Sequence, residues 1–273
     1  MTTPGLKVQN ILNQPGKWDF SGAARLYAGV DLGTYKAITI VIDETGNPRA
    51  ARMMRAEVVR SGLIVDYAGA QKIVHEMIAE MRAASPLPIE KGATSYPPKT
   101  EYANVDATRY ILEAAGLEVL NVLDEPSAAN GILKLQSGAI VDVGGGTTGI
   151  AVIKDNKIVF TADEATGGVH LSLVLAGNDK ISYEAAEKKK TDPQNHREIL
   201  SIVRPVIEKM ASIVETYLQP FSDLNAVCLV GGTCELEGFA DIVQNTLHVH
   251  VFRPEFPQFI TPLGIALSCL ETN

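Results

Sequence analysis

The stretch Ile140–Lys157, IVDVGGGTTGIAVIKDNK, restricts the fold more than any other part of this 273-residue chain. An apolar run ends in Asp142, breaks into three glycines and two threonines, and resumes as a β-branched run that stops at Lys154-Asp155-Asn156-Lys157. A Walker-type loop or a dinucleotide fingerprint puts a helix after its glycines. Here a second strand follows, so the unit reads as strand, glycine turn, strand, turn. Consecutive glycines let the backbone approach a ligand and turn several N–H groups inward as an anion-binding concavity, to which the hydroxyls of Thr147 and Thr148 can add donors. Asp142 suits such a loop only if a cation stands between its carboxylate and the anion. Mg²⁺, which keeps several waters and uses few protein carboxylates, is the expected ion.

The device occurs twice. In Ala28–Pro48, AGVDLGTYKAITIVIDETGNP, an apolar lead again ends in aspartate (Asp31), followed by Gly33, Thr34, an apolar strand and a turn at Asp43–Asn47. Two hairpins of one design, one in each half, predict two lobes whose loops grip one polyphosphate from opposite sides, with Asp31 and Asp142 converging on its metal. A third glycine site has a different grammar. A buried strand over 226–230 leads through Gly231, Gly232 and Thr233 into a helix with Phe239, Ile242, Val243 and Leu247 on one face. Standing alone, this is an ordinary strand-to-helix turn as readily as a platform for a flat ring or sugar. One-faced helices are expected over 68–84, capped by Asp66, and over 196–218, kinked at Pro205. Strands alternating with helices make this an α/β chain.

Composition narrows the partners. A 46% hydrophobic content supports a substantial core, and a formal net charge of −8 argues against a nucleic-acid surface. Cys228, Cys234 and Cys269 are scattered, odd in number and without a C-x-x-C pair, which points to a reducing compartment and no structural zinc. No apolar run approaches the ~20 residues of a membrane span. The chain therefore reads as a soluble cytoplasmic protein without direct nucleic-acid or membrane partners. Residues 1–25 form an expected N-terminal extension, tacked onto the core by Trp18 and Phe20. His248 and His250 share a face of an expected strand but have no third ligand nearby, and Lys188-Lys189-Lys190 reads mostly as a solvated helix end in which only Lys190 has a role.

These motifs resemble those of the actin-like ATPase superfamily, which includes DnaK-type chaperones, MreB, FtsA and PilM. GVDLGT is similar to its first phosphate motif, VDVGGGTTGIAVI to its second and LVGGTCELEGF to its adenosine motif. LNVLDEPSAANGIL and TPLGIALS resemble its two connecting helices. The five motifs stand in the superfamily's order from about Gly29 to Ser268. The resemblance implies two similar lobes around a nucleotide cleft, each a ribonuclease H-like motif. Lobe I is 26–137 with 255–273, and lobe II is 138–254. Within the superfamily, the PGKWDF lead, the GLIVDY stretch and the short length are most similar to the EutJ-type family of ethanolamine utilization.

Carried over, the resemblance implies ATP or ADP with Mg²⁺, held through water by Asp31 and Asp142. Gly33, Thr34, Tyr35 and Lys36 match the first phosphate loop; Gly144, Gly145, Gly146, Thr147 and Thr148 match the second. Glu187 and Lys190 match a Glu-x-x-Lys pair that brackets ribose and adenine, with Gly231, Gly232 and Thr233 on the nucleoside's other side. Glu125 stands where relatives orient the attacking water, with Asp142 as a second catalytic group. The chain departs from the chaperone pattern at Tyr35 and Lys36, where a second small hydroxyl residue is usual, and at Gly149, where many relatives carry an acid. The implied function is an Mg–ATP-binding, chaperone-like switch with slow hydrolysis. Its partner is a protein client or assembly component of the ethanolamine-degrading system or its microcompartment. The alternatives are a non-hydrolysing scaffold like FtsA or PilM and an MreB-like filament former; a sugar kinase lacks a placed acidic base.

Overall fold

The computed structural model describes residues 3–60, 62–98 and 100–271. In chain order the elements are α1 (Pro4–Ile11), β1 (Leu26–Leu32), β2 (Lys36–Asp43), β3 (Pro48–Arg55), β4 (Val59–Arg60), β5 (Leu63–Ile64), α2 (Tyr67–Ala84), β6 (Lys91–Tyr96), α3 (Tyr102–Ala114), β7 (Glu118–Asp124) and α4 (Glu125–Leu133). They continue with β8 (Gly138–Val143), β9 (Thr148–Lys154), β10 (Lys157–Glu164), α5 (Gly168–Asp179), α6 (Tyr183–Thr191), α7 (His196–Leu218), β11 (Ala226–Val230), α8 (Phe239–Leu247), β12 (His250–Phe252) and α9 (Ile260–Ser268). The chain divides into two compact units, one of Met1–Lys134 with Phe259–Asn273 and one of Leu135–Gln258.

The first unit holds a five-stranded sheet of order β3-β2-β1-β6-β7, the second one of order β10-β9-β8-β11-β12. In each, three consecutive strands form an antiparallel meander, a fourth pairs in parallel with the meander's first strand, and a fifth pairs in parallel with the fourth. The repeat read in the two glycine hairpins thus extends to the order and sense of five strands. Parallel additions need crossovers, and each is made by a helix.

Alternation along β1 and β2 sends Leu26, Ala28, Val30, Leu32, Ala37 and Val41 to one face, where they pack with Val74, Met77, Ile78 and Met81 of α2. The other face of β1 meets α9, which also packs against α4. In the second unit Val141, Val143, Ile150 and Val152 pack with Ile199, Val203, Ile207, Met210 and Val214 of α7. Pro205 lies on the exposed side of α7, and the helix continues through it. Asp66 caps α2 by accepting from the Gly69 N–H at 2.9 Å.

The N-terminal segment is part of the first unit's fabric. α1 packs on β3, Trp18 Nε1 donates to the Ile11 carbonyl at 3.0 Å, and Phe20 is buried in the core. The turn after β2 is organised by Asp43. Burial opposes its ionisation, yet hydrogen bonds from Thr45, Asn47 and Arg49 hold its carboxyl down to about 2.

Two expectations are corrected. His248 is the C-cap of α8 at φ +54°, not a strand residue, so it does not share a strand face with His250, whose ring stacks with Phe252. The helix ends there because the backbone turns left-handed. The lysine run is not wholly solvated either: Lys189 bonds Asp179 and Glu198 at 2.8 and 2.7 Å, and Lys190 is largely buried. No helix among the described residues is long and apolar enough to cross a membrane.

Candidate functional site

The two glycine turns share one construction. Asp31 lies one residue before the end of β1 and Asp142 one residue before the end of β8. Each turn is closed by the same bond: the Gly33 N–H donates to the Lys36 carbonyl and the Gly144 N–H to the Thr147 carbonyl, both at 3.0 Å. In the first loop Arg55 sits 5.5 Å from the ring centroid of Tyr35, and the Tyr35 carbonyl accepts the Ala56 N–H. Gly33, Thr34, Tyr35 and Lys36 are all half-buried.

The second loop is tied down more firmly. Its Gly144 and Gly145 carbonyls accept from the N–H groups of Gly168 and Val169 at the start of α5, at 3.0 and 2.8 Å. Thr233 Oγ1 donates to the Gly144 carbonyl at 2.7 Å, and Thr148 Oγ1 to the Thr166 carbonyl at 2.8 Å. Those two hydroxyls serve the protein rather than an incoming anion. The N–H groups of Gly145, Gly146 and Thr147 donate to no protein acceptor among the described residues, and three successive N–H groups of that kind make an anion nest. Gly231 has φ +91°, and a Cβ there would stand 2.4 Å from both Asp142 Oδ1 and the Val143 carbonyl. Its missing side chain therefore admits the neighbouring strand, while Gly232 and Thr233 begin a single 3₁₀ turn ahead of α8.

Glu187 and Lys190 come together as a buried ion pair of α6. Lys190 Nζ donates to Glu187 Oε1 at 2.5 Å and to the Gly168 carbonyl at 2.9 Å. Ser172 and Tyr183 also donate to Glu187 Oε1. Burial pulls the Lys190 pKa down, opposed by the Glu187 charge. The pair thus braces the turn that carries the second loop. Removing one member strands a buried charge, so Lys190→Met should destabilise the protein by about 3 kcal/mol in denaturant unfolding. The double variant Glu187→Gln/Lys190→Met should recover most of that loss; a double variant as weak as the single contradicts the account.

Glu125 opens α4 directly after β7, half-buried, and Asp124 caps the helix by accepting from the Ser127 N–H at 2.9 Å. That geometry fixes the Glu125 backbone at a helix N-terminus, where a negative charge is favoured.

Two groups escaped the sequence reading. Gly167 and Gly168 were signalled by a Gly-Gly pair at the head of an apolar helical run, a pattern similar to the glycines at 231 and 232. Asp163, near the end of β10, had no sequence signal. Burial pushes its carboxyl up to about 6, against the Thr147 hydroxyl, which lowers it, and with the charges of Glu164 and Asp142, which raise it further. Glu164 itself accepts from Tyr217 of α7. All three cysteines are buried, and burial pushes the Cys234 thiol, near Asp142, well up and those of Cys228 and Cys269 to about 12, which disfavours the reactive thiolate.

The donor set fits a magnesium-bound phosphate better than a protein-caged metal. No cluster of three or more His, Cys, Asp or Glu side chains among the described residues is arranged to hold an ion. Asp142 is buried and its neighbour Asp163 has a buried Oδ1 without a hydrogen-bond partner, an excess of negative charge beside an anion nest. A cation shared with phosphate and water would offset the charge that the two carboxylates bring to the nest.

The family described as "Type IV pilus assembly protein PilM" matches residues 99–254. The chain is 42% identical over 249 residues to the ethanolamine utilization protein EutJ of Escherichia coli K12, covering 90% of this chain and 87% of that protein. The crystal structure of EutJ from Carboxydothermus hydrogenoformans is 44% identical with a TM-score of 0.88, covering 95% of this chain and 96% of that one. MreB5 of Spiroplasma citri, bound to AMPPNP, is 15% identical with a TM-score of 0.74 over 88% of this chain and 95% of its own, a likeness of fold. The chain has the actin-like ATPase fold, matches the PilM family model over 99–254 and, related along nearly its whole length, belongs to the EutJ family of ethanolamine utilization proteins.

Proposed function

We propose that this chain is an Mg–ATP-binding switch protein of ethanolamine utilization, with slow ATP hydrolysis and a protein partner that reads its nucleotide state. The observation that carries the reading is the second loop: three N–H groups without protein acceptors beside a buried aspartate, in a turn built like that of the first hairpin. The first loop, from Gly33 to Lys36, holds the nucleotide's phosphates with it, and Asp31 and Asp142 hold Mg²⁺ through water. When bound, Mg²⁺ would supply neutralisation of the charge that builds on the γ-phosphate in hydrolysis. Glu125 orients the attacking water. Glu187 and Lys190, with Gly231, Gly232 and Thr233, form the nucleoside end of the site, the ion pair acting through the α5 turn. The likeness to EutJ supports a partner in the ethanolamine-degrading system or its microcompartment, and a cytoplasmic location.

A second reading, a scaffold that keeps its nucleotide uncleaved, draws on the PilM match and on Gly149, which supplies no acid to the loop. Single-turnover phosphate release separates the two. The switch predicts release from stoichiometric ATP that Glu125→Gln slows at least ~100-fold, the lower range for a positioned acid–base group. Release at the rate of buffer alone leaves only the scaffold.

A further inference from the structure

β8, β9 and β10 set Asp142, Gly149 and Asp163 in one row across three strands. Directly opposed residues of antiparallel strands project from the same face. Two carboxylates therefore flank a position that has no side chain. The corresponding row of the first hairpin is Asp31, Ile38 and Met53, where larger side chains occupy both places. The difference is confined to the second loop, and it is accompanied by two further observations. Asp163 Oδ1 is buried without a hydrogen-bond partner, and the Thr147 hydroxyl interacts with the Asp163 carboxylate. Thr147 is the residue whose carbonyl closes the glycine turn and whose N–H belongs to the nest.

We infer that Asp163 is a positioning residue of the second glycine loop. Reaching over Gly149, its carboxylate holds the Thr147 side chain and thereby fixes the N–H groups of Gly145, Gly146 and Thr147 for a magnesium-bound phosphate. The inference rests on the nucleotide-binding reading. A hydroxyl proton given to Asp163 is withdrawn from the phosphate, so Thr147 serves the ligand through its backbone. The negative charge of Asp163 adds to that of Asp142 on the same face and favours a nucleotide that arrives with its cation over one that arrives bare.

The test uses the full chain in Asp163→Asn, Thr147→Val, Thr147→Ser and the double variant Asp163→Asn/Thr147→Val. ATP affinity is measured by calorimetry with Mg²⁺ and with EDTA. Asp163→Asn and Thr147→Val should each lower Mg–ATP affinity about tenfold, the scale of one charge-assisted hydrogen bond. Because the two residues act as one unit, the double variant should lose no more than the worse single. Thr147→Ser, which keeps the hydroxyl, should recover most of the affinity that Thr147→Val loses, and affinity in EDTA should move little between Asp163→Asn and the wild type. Losses that multiply in the double variant, or wild-type Mg–ATP affinity in Asp163→Asn, overturn the inference. Hydrogen exchange at the Gly144 amide, bonded to the Thr147 carbonyl, supplies a ligand-free readout. It should speed up in Asp163→Asn and Thr147→Val while the β8–β9 amides stay protected; unchanged exchange overturns the inference by itself. A wild type that takes up no ATP overturns the functional reading instead, and the exchange result then decides the role of Asp163 alone.

Discussion

Gly264→Ala should destabilise the protein by about 3 kcal/mol or more, the upper range of overpacking, or prevent accumulation of folded material. A Cβ at Gly264 would lie 1.8 Å from the Ala128 carbonyl oxygen, which is helix backbone, and a Cβ is fixed to its own backbone, so neither atom can rotate away. α9 and α4 would have to separate, and the opposite side of α9 is held as closely, since a Cβ on Gly29 of β1 would stand 2.4 Å from the Ala266 nitrogen. The helix is wedged between a helix and a strand at two glycine contacts, so relief at one presses on the other. Gly177 in α5 is the control, with nothing within 4 Å of its would-be Cβ. Gly177→Ala should be stabilising by about 0.5–1 kcal/mol through helix propensity. Urea unfolding of the two variants decides the matter, and equal midpoints would show that the α4–α9 contact does not limit stability. The consequence reaches function, because α4 carries Glu125 on its first turn.

The second large effect is functional. Asp142→Asn keeps the size of the side chain against Gly231 and removes its charge, so the unliganded melting temperature should change little. The stabilisation by Mg–ATP should vanish. For the wild type, ligand at 100 times its dissociation constant stabilises by about 2.7 kcal/mol, enough for a shift of several degrees. On the proposed reading, loss of the Asp142 charge would weaken the hold on the cation and leave the polyphosphate facing the carboxylate of Asp163 without it. A melting shift in Asp142→Asn equal to that of the wild type would remove Asp142 from the site.

The hairpins were readable because a strand, a glycine turn and a strand are local events, decided within about twenty residues by β-branched runs and turn chemistry. The duplication extended that reading to two units. What escaped was non-local. The Glu187–Lys190 pair was legible as a Glu-x-x-Lys spacing, but its burial and the Gly168 carbonyl that also accepts from Lys190 come only from the fold. The Thr148 hydroxyl reads as a donor for a ligand, yet the Thr166 carbonyl claims it, as the Gly144 carbonyl claims the hydroxyl of Thr233. Asp163 shares a row with Asp142 only through the register of two strand pairs, which one sequence does not reveal. His248 failed for a local reason, a left-handed helix cap occupied by a residue other than glycine or asparagine.

The central proposal is that this chain takes up one magnesium–nucleotide complex, with Asp142 and the glycine loop that follows it in the binding site. Isothermal titration of the intact chain with ATP tests it most directly. The account predicts saturable uptake of one ATP per chain with Mg²⁺, weakened at least tenfold in EDTA and in Asp142→Asn. Absence of heat with Mg–ATP, or an affinity indifferent to both EDTA and Asp142→Asn, would contradict it.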